Sequence, residues 1–247
     1  CSHSDATDLI QGLRLIKSPA EMEYVRKAGA LCDDALKALN QAIEPGVDEG
    51  ILYSRMMQAI LEGGGDPAAS RPIIGSGDGA MLVRYFTGRA KVGAQDQVQL
   101  EYGAGYRHYH VAIMRTVLTG VASERHKAMH AAGVEALAAC QEVARPGATY
   151  ADIYEAHARV VDAHGLQDCR LNACGYSLSA NFPPSWMEEP MIYPGNTTVI
   201  EPGMVIFMHM ILVDAANTLT MSLGETGIMH DDHFEAVSSM PHDLVVK

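Results

Sequence analysis

The sequence predicts an α+β fold of two helix-helix-strand halves related by a pseudo-twofold axis, and three observations carry that prediction. The first is an internal echo. EPGVDEGILYSRMMQAILEGGGD from Glu44 is answered by RPGATYADIYEAHARVVDAHGLQD from Arg145, with Pro45 and Pro146 standing 101 residues apart. In both copies a tyrosine follows eight residues after the proline, at Tyr53 and Tyr154. The second observation is a long helical pattern before each copy, and the third is a set of strand-like segments after each.

Taken in order, the first long helix begins at Ser18, whose hydroxyl can cap, with Pro19 at the first helical position and Glu21 placed to close a capping box. Its apolar positions Met22, Val25, Ala28, Leu31, Leu36 and Leu39 fall mostly on one face. The matching helix runs from about Ser123 to Val143, and Pro-Gly ends both. Strand-like segments follow at Ile73 to Ile74, Val98 to Tyr102 and His110 to Thr119, then at Thr198 to Ile200 and Met204 to Val213. Two such halves leave a cleft between two strand layers, and a functional site is expected there.

Composition bounds the rest. With 247 residues, 48% of them apolar and 19% charged, the chain can bury a substantial core, and a single domain over 10–247 is expected. Residues 1–9, of which 1–8 are small and polar, read as a tag remnant or linker, with a further domain expected upstream. A formal charge of −12 argues against nucleic acid or an anionic membrane as partner, and no apolar run is long enough to span a bilayer. The five cysteines, Cys1, Cys32, Cys140, Cys169 and Cys174, show no CxxC pairing and read as reduced thiols of a cytoplasmic protein. The charged run HDDHF at His230 to Phe234 reads as a solvated loop.

The run EYGAGYRHYHVAIMRT from Glu101 to Thr116, the EPGM turn at Glu201 to Met204 and the echo together resemble the creatinase, aminopeptidase P and prolidase superfamily (peptidase M24) over residues 10 to about 240. The resemblance implies a pita-bread fold of the creatinase/methionine aminopeptidase-like kind. It also implies where a metal-dependent member would place five ligands. The two aspartates fall on Glu101 and Ala112, the histidine on Tyr176, and one glutamate on His209. The last glutamate falls on Gly224 or Glu225, depending on register. Alanine offers no donor to a hard divalent cation, so no metal site and no cofactor are expected.

The superfamily includes metal-free enzymes, creatinase and ectoine hydrolase, that cleave carbon–nitrogen bonds in small nitrogenous solutes. The sequence is similar to ectoine hydrolase-like members in Glu101, Tyr109, His110, Arg115 and Thr116, and in GYSLSANFPPSWMEE from Gly175 to Glu189. On this resemblance Glu101 is the candidate nucleophile or base, and His110, Tyr176 or His209 the proton donor to the departing nitrogen. Tyr109, Trp186 and Glu188 are candidates for binding a flat or cationic substrate, and Arg84, where a histidine is usual, for clamping a carboxylate. Each of these side chains also has a structural reading as a packed or ion-paired group.

Three functions are carried forward. The first is a metal-independent hydrolase of a carbon–nitrogen bond in an ectoine- or creatine-like solute, a cyclic amidine or guanidine. The second is a degenerate Xaa-Pro aminopeptidase or dipeptidase. The third is a non-catalytic pita-bread binding module. A small-molecule substrate is the expected partner, and the resemblance implies a homodimer.

Overall fold

The computed structural model describes residues 3–247. Cys1 lies outside them; the other four cysteines are buried free thiols. A short helix α1 (Thr7–Leu15) covers part of the segment read as a linker. Helix α2 (Pro19–Ala42) starts as expected, with Ser18 accepting from the Glu21 N–H while the Glu21 carboxylate accepts from Ser18 N–H. It buries Val25, Ala28, Leu31, Leu36 and Leu39, with Met22 half-buried. Helices α3 (Glu49–Glu62), α4 (Glu124–Val143) and α5 (Tyr150–Ala163) complete the two pairs, and Ser123 caps α4.

The echo is realised almost residue for residue. Helices α3 and α5 are both 14 residues long. The glycines that end the preceding turns, Gly46 and Gly147, both have φ +91°, a left-handed conformation that suits a residue without Cβ. Gly46 N–H donates to Val92 O and Gly147 N–H to Ile200 O, so each half pins its second helix to an extended segment in the same way. Thr198 to Ile200 was expected as a strand; Val199 forms one isolated bridge to Thr149, and the segment serves as this clip.

Ten strands form one sheet: β1 (Asp66–Pro67), β2 (Ile73–Ser76), β3 (Asp96–Tyr106), β4 (Tyr109–Thr119), β5 (Gly175–Ser177), β6 (Glu188–Ile192), β7 (Val205–Asp214), β8 (Leu219–Met229), β9 (Phe234–Ala236) and β10 (Val245–Val246). The order β1-β3-β4-β8-β7-β5-β6 sets the hairpins β3–β4 and β7–β8 side by side, with β2, β9 and β10 added at β3, β8 and β4. The expected two strand layers are therefore one continuous surface. The halves meet where β4 pairs with β8, through Met114 with Gly224 and Arg115 with Leu223. On either side of these two pairs, side chains take over from the backbone. Thr226 Oγ1 bonds both the N–H and the carbonyl of Ala112, and Thr116 Oγ1 accepts from Ser222 N–H.

Side chains alternate across a strand, so each hairpin has two faces. Toward α2 the sheet turns Tyr102, whose hydroxyl donates to Cys32 O at 2.8 Å. Toward α4 it turns Met210 and Leu223, both in reach of Gly133. The opposite face, free of α2 and α4, carries Glu101, Ala112, Met114, Gly224, Phe207 and His209.

Candidate functional site

Sheet register builds the site. Glu101 pairs with Met114, Met114 with Gly224, and Gly224 with His209, giving one row across four strands. The next row runs Gly103, Ala112, Thr226, Phe207, Tyr176, joined between Ala112 and Thr226 by the threonine hydroxyl. Five positions far apart in sequence thus share one patch, and they present a carboxylate, a methyl group, a phenol, an imidazole and a glycine. Register also separates Gly224 from Glu225. Gly224 is in the row, and Glu225 points to the helical side, where it pairs with Arg115 at 3.2 Å and His242 at 2.8 Å.

Space is as telling as register. A Cβ at Gly224 would stand 2.7 Å from Phe207 Cζ and 3.0 Å from Met114 Cβ, so those side chains fill the place a longer residue would need. A Cβ at Gly103 would meet Trp186 at 3.4 Å, which puts the indole against the inner face. Trp186 Nε1 donates to the Tyr176 hydroxyl at 2.8 Å, and the rings of Tyr176, Phe207 and His209 pack with centroids 5.2 to 5.8 Å apart.

Glu101 sits in this apolar wall 9% exposed, and burial pushes its carboxyl up to about 7, with Arg84 pulling the other way. The Tyr176 phenol is raised by burial and then by the Glu101 charge, so its hydroxyl stays protonated. His209 is lowered to about 3, chiefly by burial, and is neutral at ordinary pH, with Nδ1 buried and lacking a partner. Arg84 is exposed, its guanidinium resting on Met187 Sδ at 3.6 Å. Glu101, Tyr176, His209, Trp186 and Arg84 are the expected residues that the fold brings together.

Three expected residues are elsewhere. His110 shares the face but lies four residues along β4 from Met114, roughly 13 Å at the rise of a strand. Its Nε2 accepts from Ala69 N–H at 2.9 Å, and burial lowers it to about 4, so it packs as a neutral ring. Tyr109 points to the α2 side because adjacent strand residues must diverge; its hydroxyl donates to Glu21 at 2.6 Å and its ring packs on Tyr24. Glu188 is held by Arg14 at 3.1 Å, so its charge is already matched within the chain.

One residue that sequence reasoning passed over organises the Arg84 loop. Glu49, fully buried at the start of α3, accepts from Ser76 N–H and Oγ at 2.7 and 2.8 Å, Tyr85 OH at 2.9 Å and Gly88 N–H at 3.0 Å. A glutamate at the first turn of a helix reads as an ordinary dipole partner, and nothing local betrays contacts 27 to 39 residues away.

The loop borders a cleft of about 610 Å³ lined by Met56, Met57, Ile73, Phe86, Pro183 and Pro184, with Arg71 and Arg84 at its walls. Ile73 is the cross-strand partner of Glu101, and Gly103 is the next residue on the same face, so the cleft is lined by two neighbours of Glu101.

The profile of the metallopeptidase family M24 matches residues 23–236. The ectoine hydrolase of Halomonas elongata is 29% identical over 255 residues, covering 99% of this chain and 63% of that protein. The Xaa-Pro dipeptidase of Pyrococcus furiosus is 27% identical over 199 residues, covering 81% and 56%. The solved prolidase from Pyrococcus furiosus superposes with a TM-score of 0.89 at 24% identity, over 95% of this chain and 68% of that one. Dipeptidase PepE from Mycobacterium ulcerans does so with 0.90 at 25% identity, over 98% and 64%. The expected pita-bread architecture is borne out by these superpositions. The chain spans less than two thirds of the length of the two curated relatives.

Proposed function

Since the chain belongs to the metallopeptidase family M24, we propose that it is a hydrolase of carbon–nitrogen bonds that works through Glu101 rather than through the family's cations. One observation carries the reading: the five positions that would hold the ions are together on one face, and they present one carboxylate and one imidazole. A pair of hard cations needs several oxygen or nitrogen donors. Ala112 and Gly224 supply none, Phe207 and Met114 occupy the space in which a longer side chain at 224 would lie, and Trp186 covers Gly103. The residues present do not fit that pair of ions, and no step is routed through them.

The chemistry available to the side chains is general base and acid catalysis by one group. Ionised Glu101 takes a proton from a water molecule, the water oxygen bonds to the electrophilic carbon, and the carbon–nitrogen bond breaks as Glu101 returns the proton to the leaving nitrogen. A carboxyl pushed up to about 7 suits both transfers near neutral pH. Tyr176 accepts from Trp186, which leaves its own proton to donate to the oxygen that gains charge. His209, neutral, can orient the water or the leaving group. The relative named ectoine hydrolase is, like the dipeptidases, a hydrolase by name, which supports hydrolysis for this chain.

The test is turnover on cyclic amidines, guanidines and N-acyl amino acids before and after dialysis against a chelator. Activity is expected to survive chelation, to rise with pH through about 7 as Glu101 ionises, and to fall about a thousandfold in Glu101→Gln. Near-stoichiometric manganese, cobalt or zinc, with activity that returns only on its addition, would overturn the reading.

A further inference from the structure

The cleft beside Glu101 is too large and too apolar for a compact polar solute, and its charge has one sign. Clefts of this volume hold ligands of drug size, lined by apolar groups with a few polar ones that set orientation. Here the apolar part is Met56, Met57, Ile73, Phe86, Pro183 and Pro184, and the charged part is Arg71 and Arg84, with no acidic residue among the lining groups. Arg71 lies 5.7 Å from the Phe86 ring centroid, and Arg84 touches a thioether. Among the described residues neither guanidinium has a carboxylate within 4 Å, whereas Arg14, Arg26, Arg89, Arg115, Arg125 and Arg170 each do.

The rims are fixed. Ser70 Oγ donates to Pro184 O at 3.2 Å and accepts from Trp186 N–H at 3.2 Å, tying the two loops that form the walls. Glu49 holds the loop that carries Arg84. A ligand meets a built wall with two guanidiniums and, at Ile73 and Gly103, the neighbours of the buried Glu101 carboxylate.

From this geometry we infer that the substrate is an N-acyl amino acid with an apolar acyl group, its carboxylate held by Arg84 and Arg71 and its acyl chain lying along Met56, Met57 and Phe86. A free α-ammonium, as in a dipeptide, would lie on the acyl side among Met56, Met57 and Phe86 with no lining acid to pair it, so the acyl group carries no charge. The inference rests on the hydrolase reading above. Water adds across the amide, its oxygen bonding to the acyl carbon and its proton passing through Glu101 to the nitrogen, and a fatty or aromatic acid and a free amino acid leave.

Calorimetric binding to Glu101→Gln separates the ligand class from catalysis. N-Hexanoylglycine is expected to bind, with its methyl ester and N-acetylglycine each at least tenfold weaker, and with a tenfold loss in Glu101→Gln/Arg84→Gln and in Glu101→Gln/Arg71→Gln. Equal binding of acid and ester, or of acetyl and hexanoyl forms, or no binding at all, overturns the inference. Should N-hexanoylglycine bind as described yet resist hydrolysis by the unmutated chain, the ligand class stands and the hydrolase reading fails. Hydrolysis of a cyclic amidine by a chain that does not bind N-hexanoylglycine sinks this inference alone.

Discussion

Glu49 and Tyr150 occupy the same place in the two halves, the first residue of α3 and of α5, and each ties a site-bearing segment to its own helix by different means. Glu49 does so with a carboxylate that gathers two donors from Ser76 at the end of β2 and two from the loop of Arg84. Tyr150 uses one hydroxyl, 2.6 Å from Ser177 Oγ, beside Tyr176. The contrast extends to the row itself. The first half contributes charge, in Glu101 buried on β3 and in Arg84 on an exposed loop. The second contributes packed rings, Tyr176, Phe207 and His209, on regular strands. A duplicated backbone has kept its clips and divided its side chains, one leaf carrying a buried carboxylate and a guanidinium and the other a wall of packed rings.

That division can be attacked at its strongest point. Glu49→Ala leaves four donors without their acceptor and is expected to cost roughly 4 kcal/mol in urea unfolding, together with a rise in KM as the Arg84 loop loosens. A loss below about 1 kcal/mol would show that the loop is held by something else.

The tuning is open to a pH-resolved test. Burial raises Glu101 from 4.5 to about 7, so the folded state binds the proton more tightly than the unfolded chain. Its favourable contribution is complete below pH 4.5 and is lost as pH rises through about 7, where an ionised carboxylate must stay buried. Glu101→Gln is therefore expected to be about as stable as the parent at pH 4 and up to roughly 3 kcal/mol more stable at pH 8. An equal effect at both values would mean that the aromatic wall does not set the carboxyl.

Smaller effects sharpen the picture. Gly224→Ala drives a Cβ to 2.7 Å from Phe207 and is expected to cost about 2 kcal/mol, recovered in part by Phe207→Leu. Full stability in Gly224→Ala would open that position again to a longer side chain. Tyr150→Phe, which removes one hydroxyl with its contacts to Ser177 and Met204, is expected to cost about 1 kcal/mol. A penalty as large as that of Glu49→Ala would erase the asymmetry between the halves.

How much of this was legible follows from where the determinants lie. Caps at Ser18 and Ser123, the apolar stripe of α2 and the proline-marked echo are local, and local chemistry is written in order along the chain. Strand β8 was missed because its inner-facing residues are Thr220, Ser222, Gly224 and Thr226, a polar set that reads as loop. Their hydroxyls find partners only across the sheet, in Gln99, Thr116 and Ala112. The resemblance carries Glu101, Tyr176 and His209 over one at a time as ligand positions, and the sheet sets all three on one face. Tyr109 and His110 could not both join one face of β4, and this is legible from sequence, since neighbours in a strand face opposite ways. Glu188 could not, because its partner Arg14 lies 174 residues away.

The seam between β4 and β8 has a consequence for the order of events in the cell. Half of the row belongs to residues before 120 and half to residues after 170, and they are joined by two backbone pairings flanked by threonines. While translation has delivered only the first leaf, Glu101 stands without the rings of Tyr176, Phe207 and His209. The row closes only when the second leaf docks, so an unfinished polypeptide holds half of it.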